Sequence, residues 1–304
     1  MKKVLCIFII FSLIVISGCT YEKAGPSKPA DSSLDARSIK IGDSGDKNPV
    51  PPEKAAEALI SSYTDDKADK LKQKVKNPAS IAPRPVLKSG KAVPILEYHA
   101  IDDKVWGDGE LFVSPAEFEK QMDYLKNNHY TVITFDQLSN AKNIANPVLI
   151  TFDDGYEDNY SYAYRILKKY NFKATIFLIS AAIGSPYFLK PVEILEMQDL
   201  VNFQSHTKTH PHLSKLKPEE IESELVQSQQ AIKDLTKSKV NVLAYPYGDY
   251  NRKVISLTRK YYQYGVYSLG GLYHAGDSPY AIKRVYITSK TDISSFGKKL
   301  KGNM

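Results

Sequence analysis

From Val93 onward, short apolar runs rich in β-branched and aromatic residues alternate with longer segments of helical period, and this alternation constrains the fold more than any other feature of the chain. The runs are Val93–Glu97, Thr131–Phe135, Pro147–Phe152, Ala174–Ile179, Leu200–Phe203, Val240–Tyr245, Gly265–Ser268 and Ile282–Ile287. Between them, Ser114-Pro115-Ala116-Glu117 is a capping box with Pro at the first helical position, followed by Phe118, Met122 and Leu125 on one face. Tyr156, Tyr160, Ala163 and Leu167 keep a similar spacing, as do Ile221, Leu225, Ile232 and Leu235 after Lys217-Pro218-Glu219. Strands and helices in this succession require a parallel sheet with right-handed crossovers. Seven or eight such units in about 210 residues predict an α/β fold, a closed or nearly closed (β/α)7–8 barrel somewhat shorter than the usual ~250 residues. Periodicity does not distinguish closure from openness, so an open doubly wound sheet is the alternative.

In parallel α/β architectures chemistry gathers at the C-terminal ends of the strands. Here the first run leads into Tyr98-His99, the third into Asp153-Asp154-Gly155-Tyr156, the fifth into Ser205-His206 and the sixth into Pro246-Tyr247-Gly248. Adjacent carboxylates at the end of a buried strand repel each other and lose hydration, so Asp153-Asp154 calls for a neutralising cation. Strand alternation would let one Asp ligate a metal while its neighbour faces a bound water. Asp-Asp-Gly is equally a common N-cap and turn before a helix. Three of the six histidines, His206, His210 and His212, fall within one short stretch. On a helical turn His206 and His210 would share a face and meet one ion. Any single His is ordinarily a loop or surface residue, and Tyr98-His99 reads as supporting structure rather than as ligands. One Asp and two His with open positions form a hydrolytic metal set, for which zinc is the default among divalent ions.

The first 90 residues are of a different kind. Lys2 and Lys3 precede an apolar run from Val4 to Ile16 that is too short to span a bilayer but fits the hydrophobic region of an export signal. It ends in Ile16-Ser17-Gly18-Cys19, a tetrapeptide similar to a bacterial lipobox, which implies a signal peptide over 1–18 and lipidation at Cys19. The only other cysteine, Cys6, would leave with the signal, so no intramolecular disulfide is expected. Residues 19–90 are rich in Ser, Asp, Lys, Pro and Ala and read as a tether with one helix near 53–75. The folded domain is expected at 91–304. Lys+Arg exceed Asp+Glu by 41 to 34, but only six of the basic residues are Arg, which argues against a nucleic-acid partner and suits an anionic wall or membrane surface.

Thr151-Phe152-Asp153-Asp154-Gly155, the His pair in Ser205-His206-Thr207-Lys208-Thr209-His210, and Tyr245-Pro246-Tyr247-Gly248 resemble, in order, the first three motifs of the polysaccharide deacetylase family, also called NodB-like or carbohydrate esterase family 4. The resemblance covers about Lys91 to the end. It implies a distorted (β/α) barrel, Asp153 as catalytic base, and Asp154, His206 and His210 as ligands of a divalent metal. It also implies an oxyanion site at the Tyr247 backbone N–H, shaped by Pro246 and Gly248. The family's third motif often opens with an Arg that steadies the catalytic Asp; that position is Ala244 here, and Arg284 is the candidate replacement. No Asp-Trp fourth motif is found, the single Trp being Trp106. Leu272-Tyr273-His274 fits the Leu-x-His fifth motif, which makes His274 the candidate general acid.

The expected reaction is removal of N-acetyl groups from a cell-wall polysaccharide, peptidoglycan first, by a monomer anchored through lipid to the outer face of the membrane of a Gram-positive cell. The Ala-Tyr-Pro-Tyr-Gly form of the third motif is similar to that of poly-N-acetylglucosamine deacetylases, so an exopolysaccharide is the alternative substrate. A metal-bearing, catalytically silent wall-binding lipoprotein is a third reading, motivated by Ala244 and the missing fourth motif.

Overall fold

The computed structural model describes residues 92–268 and 270–303; the signal peptide expected at 1–18, Cys19 and the tether expected at 19–90 lie outside them. Seven staves make the central sheet. They are β1 (Ile95–Tyr98), β2 (Pro147–Phe152), β3 (Ala174–Leu178), β4 (Val201–Ser205), β5 (Val242–Ala244), β6 (Tyr264–Tyr267), and a last stave split into β7 (Ile282–Lys283) and β8 (Val285–Tyr286). All pairings along the order β7-β6-β5-β4-β3-β2-β1-β8 are parallel. β7 and β8 are halves of one segment interrupted only at Arg284. Ile282 faces Val266 of β6, and Val285 faces Leu96 of β1, so the two edges of the sheet meet on a single stretch of chain. The sheet therefore closes into a barrel, nearly continuous, with its break at one residue.

The apolar run Thr131–Phe135 does not become a stave. Only Thr131–Val132 is extended, pairing with β2 beside the barrel, and a 3-10 helix begins at Phe135 behind the Thr134–Gln137 capping box. Phe135, Leu138 and Ala141 then fold against the lower interior. Around the barrel lie α1 (Pro115–Asn127), α2 (Arg165–Tyr170), α3 (Pro191–Glu196), α4 (Pro218–Thr236), α5 (Arg252–Tyr261) and α6 (Ile293–Lys299). α1 starts where its capping box predicts, with Ser114 Oγ accepting from the Glu117 N–H at 3.1 Å. The helix expected from Tyr156 is instead a π-helical turn over Asn159–Tyr164 that runs into α2, a local widening frequent near functional sites.

Both faces of the staves are buried, which is why they read as continuous apolar runs rather than as alternating ones. The period of two is still present inside. Ile95, Leu149, Phe177, Val242, Val266 and Ile282 cluster as one apolar layer. Two residues beyond Ile95, Leu149 and Ile282 along the chain come Glu97, Thr151 and Arg284, and two beyond Glu97 and Thr151 come His99 and Asp153. The barrel is thus apolar at its lower end and charged at its upper end. The lower end carries a short antiparallel pair in which Ala92 faces His274 and Val93 faces Tyr273.

Close packing between adjacent staves leaves no room for a side chain at Gly265. A Cβ there would lie 2.7 Å from Cζ of Tyr245, whose hydroxyl donates to the Tyr280 carbonyl at 2.9 Å. Gly265→Ala should cost about 1–3 kcal/mol by overpacking; a urea midpoint unchanged from wild type would show that this contact yields freely.

Candidate metal and catalytic site

The upper rim brings together Asp153, Asp154, His206 and His210. β2 delivers Asp153, whose N–H still donates to the Tyr98 carbonyl as a continuation of the ladder. Asp154 then turns into the left-handed region at φ 70°, so the two carboxylates diverge through this turn rather than through strand alternation. Gly155 follows at φ 80°, where a Cβ would strike Leu178. His206 follows β4 directly. The helical turn expected to pair His206 with His210 is absent: residues 206–210 form a loop, with Thr207 and His210 at φ 68° and 61°. The loop holds its shape through the His210 N–H donating to Thr207 Oγ1 at 3.0 Å. Glu224 of α4 accepts from the backbone N–H groups of Lys208 and Thr209 at 2.9 and 2.8 Å.

The ligand-type atoms converge. Asp154 Oδ1 lies 3.5 Å from His206 Nε2 and 3.6 Å from His210 Nε2, and the two Nε2 atoms are 3.1 Å apart. His206 Nδ1 lies 2.9 Å from the Ala244 carbonyl, which fixes that nitrogen as the N–H and turns the Nε2 lone pair into the site. Burial, and then the neighbouring His206, lower the His210 pKa to about 4, so its imidazole is neutral at neutral pH. Asp154 Oδ1 is buried with no hydrogen-bond partner. Two imidazole nitrogens beside an unpartnered carboxylate oxygen fit a divalent cation, because ligands at bonds of about 2.0–2.2 Å sit on the order of 3.0–3.5 Å from one another.

Beneath this set lies an ion network inside the barrel. Arg284, at the break in the last stave and fully buried, donates from Nη1 and Nη2 to the two oxygens of Asp153 at 2.7 and 2.6 Å. Its Nη1 also donates to Thr151 Oγ1 at 3.2 Å, its Nη2 lies 3.4 Å from Glu97 Oε1, and its plane sits 5.5 Å from the centre of the Phe177 ring. Ser268 Oγ donates to the same Glu97 oxygen. Burial alone would raise the Asp153 pKa. The Arg284 guanidinium, and after it His206, outweigh burial and hold the carboxyl well below the usual carboxylate range. Glu97, Asp153 and Asp154, when ionised, set three buried negative charges against one guanidinium, an imbalance that a divalent cation removes.

Tyr247 sits on the 3-10 turn Pro246–Gly248 at φ 58°, with its ring 4.5 Å from that of His210 and stacked on His212 at 4.1 Å. His274 is elsewhere. It pairs with Ala92 below the start of β1, 57% exposed, with Asp277 as its ion partner. The length of β1, at about 3.3 Å per residue, separates it from the rim, so the Leu-x-His assignment is corrected. The imidazole near Asp153 belongs instead to His99, whose nitrogen lies among the Glu97 and Asp153 oxygens in a cluster within 4.8 Å. His99 Nδ1 is buried without a hydrogen-bond partner. The sequence signal is the position of Tyr98-His99 at the end of a strand on the same rim.

A family model described as "Polysaccharide deacetylase" matches residues 140–265. Protein YxkH of Bacillus subtilis (strain 168), which bears the name of a polysaccharide deacetylase, is 31% identical over 305 residues, covering 98% of each chain. A poly-beta-1,6-N-acetyl-D-glucosamine N-deacetylase of Staphylococcus aureus (strain MRSA252) is 32% identical over 49% of this chain and 58% of its own. Among solved structures, BC0361, a polysaccharide deacetylase from Bacillus cereus, is 36% identical with a TM-score of 0.66, covering 69% of each chain. Streptococcus pyogenes deacetylase PplD in complex with acetate is 27% identical with a TM-score of 0.65, covering 69% of this chain and 98% of that one.

The lowered pKa of His210 has a sign that can be tested. The unfolded chain binds a proton at His210 near the ordinary value of about 6.5 and the folded chain refuses it until about 4, so acidification across that interval favours unfolding. Asp158, pushed up to about 7 by burial, acts in the opposite direction over the same interval, so the readout is a difference. In chelator-treated protein, His210→Gln should gain stability relative to wild type as pH falls from 6.5 to 4; parallel melting curves across that range would contradict the assignment.

Proposed function

The chain belongs to the polysaccharide deacetylase family, and from that premise we propose that it hydrolyses the acetamide of N-acetylglucosamine-type residues in a cell-wall polysaccharide, with a divalent metal held by Asp154, His206 and His210. The observation that carries this reading is the placement of an Arg-paired carboxylate, Asp153, 3.8 Å from the nitrogen of a metal-type ligand, His206. A divalent cation bound there, zinc first among the candidates, supplies Lewis-acid polarisation of the acetamide carbonyl and acidifies water. Asp153, kept ionised by Arg284, accepts the proton of the attacking water. The backbone N–H of Tyr247, on the turn packed against His210, donates to the developing oxyanion. His99, across from Asp153, delivers a proton to the departing amine and so takes the role first assigned to His274. Acetate and a free amino sugar are the products.

Peptidoglycan is the first expected substrate. The staphylococcal relative favours a second reading, a β-1,6-linked N-acetylglucosamine polymer. One of the two motives for the silent wall-binder falls away, because Arg284 reaches Asp153 from the last stave and supplies the guanidinium that Ala244 lacks. The short apolar run after Lys2 and Lys3 and the Ile16-Ser17-Gly18-Cys19 tetrapeptide support lipid anchoring at the outer face of the cell membrane.

Asp153→Asn should lower acetate release from N-acetylated glycans by about 10²–10⁴-fold, while His206→Ala should lose the bound divalent metal as read by elemental analysis. Acetate release at the wild-type rate from the first variant, or unchanged metal stoichiometry in the second, would sink these roles. Comparing peptidoglycan with the β-1,6-linked polymer as acetate donors separates the two substrates.

A further inference from the structure

We propose that Trp106 and Tyr187 form a subsite for the sugar ring adjoining the one being deacetylated, so that the protein reads its substrate as a polymer. The proposal rests on the deacetylase reading above and adds a binding element to it. Three rim segments meet here. Trp106 lies between the short strands Ala100–Ile101 and Phe112–Val113, Tyr156 lies two residues after Asp154, and Tyr187 lies beyond β3. The rings of Trp106 and Tyr187 stack at 4.8 Å with planes 22° apart. Trp106 is braced edge-on by Tyr156 at 4.8 Å and by Phe112 at 5.1 Å.

Tyr187 is 62% exposed, and its backbone is left-handed at φ 70°, an unfavourable conformation for a bulky residue. Its segment is nonetheless pinned to the catalytic turn. The Glu157 N–H donates to the Tyr187 carbonyl at 2.8 Å, and the Leu189 N–H donates to the Gly155 carbonyl at 2.9 Å. A rigidly held aromatic pair, Tyr187 exposed and Trp106 half-buried, that adds nothing to the core is the kind of surface that binds. Tyr156 connects the pair to the chemistry, because its ring meets Trp106 edge-on and it lies on the same turn as Asp154, two residues further along. The shelf therefore adjoins the turn that carries Asp154 without contributing to the ligand set, a place suited to the neighbouring sugar ring. The electron-rich aromatic faces attract the polarised C–H groups on the apolar face of a pyranose.

Trp106 is the chain's single tryptophan, so emission excited selectively at indole reports on this shelf alone. The full chain, with chelator added to suppress turnover, is titrated with N-acetylglucosamine and then with β-1,4- and β-1,6-linked N-acetylglucosamine pentamers. The expected result is a saturable emission change with at least one pentamer and none with the monosaccharide. In turnover, Tyr187→Gly, which accepts the left-handed backbone, and Trp106→Phe, which retains a ring against Phe112, should raise KM for that pentamer roughly tenfold and leave kcat near wild type. Flat emission with both pentamers overturns the subsite, as does equal response to the monosaccharide or a loss confined to kcat. If neither the pentamers nor peptidoglycan yield acetate, the deacetylase reading fails on its own, and the fluorescence titration still decides the shelf.

Discussion

One buried guanidinium organises the molecule. Arg284 occupies the break in the stave that closes the barrel, and its side chain enters the interior where Glu97 and Asp153 converge. A charge without solvent contact is tolerable only when its partners are in place. The closure of the sheet and the ionisation of the reactive carboxylate are therefore the same event. Burial pushes the Asp153 pKa upward and Arg284 pushes it downward; because the second effect wins, the group faces the rim as an anion.

The rest of the site is built by irregular backbone on this regular base. Asp154, Thr207, His210 and Tyr247 are all non-glycine residues in the left-handed region, at φ between 58° and 70°. Such conformations carry a cost and persist where surrounding contacts hold them. Here the holding contacts come from the scaffold: Glu224 of α4 fixes the His210 loop, and His212 stacks under Tyr247. Ala244 takes part without a side chain, since its carbonyl orients His206. The position at which the family motif often carries an Arg thus positions a ligand, and the guanidinium arrives from the last stave.

The alternation of apolar runs and helical segments made the barrel legible because each run had both faces to bury and each helix one. Thr131–Phe135 misled because a short apolar run that contains Thr134 and is followed by Gln137 serves equally as the start of a capped 3-10 helix. Asp153, Asp154 and His206 were legible because they directly follow strands, and His210 because it lies four residues after His206, although the pair meets through a loop rather than a helical turn. His274 was misplaced because a motif gives spacing along the chain and not the end of the barrel at which it lies. His99 carries the weaker signal of a strand end alone: more than fifty residues separate it from Asp153, and the adjacency of β1 and β2 brings them together.

The coupling between Arg284 and Asp153 is the claim on which the account turns, and a double-mutant cycle measures it directly. Arg284→Met and Asp153→Asn, singly and together, would be unfolded in urea. Each single variant should be destabilised, Arg284→Met by about 3–5 kcal/mol as it strands buried carboxylates, and the double variant should be markedly more stable than the sum of the two losses predicts. Strict additivity would contradict the account, because the barrel would then close without the ion pair at its seam.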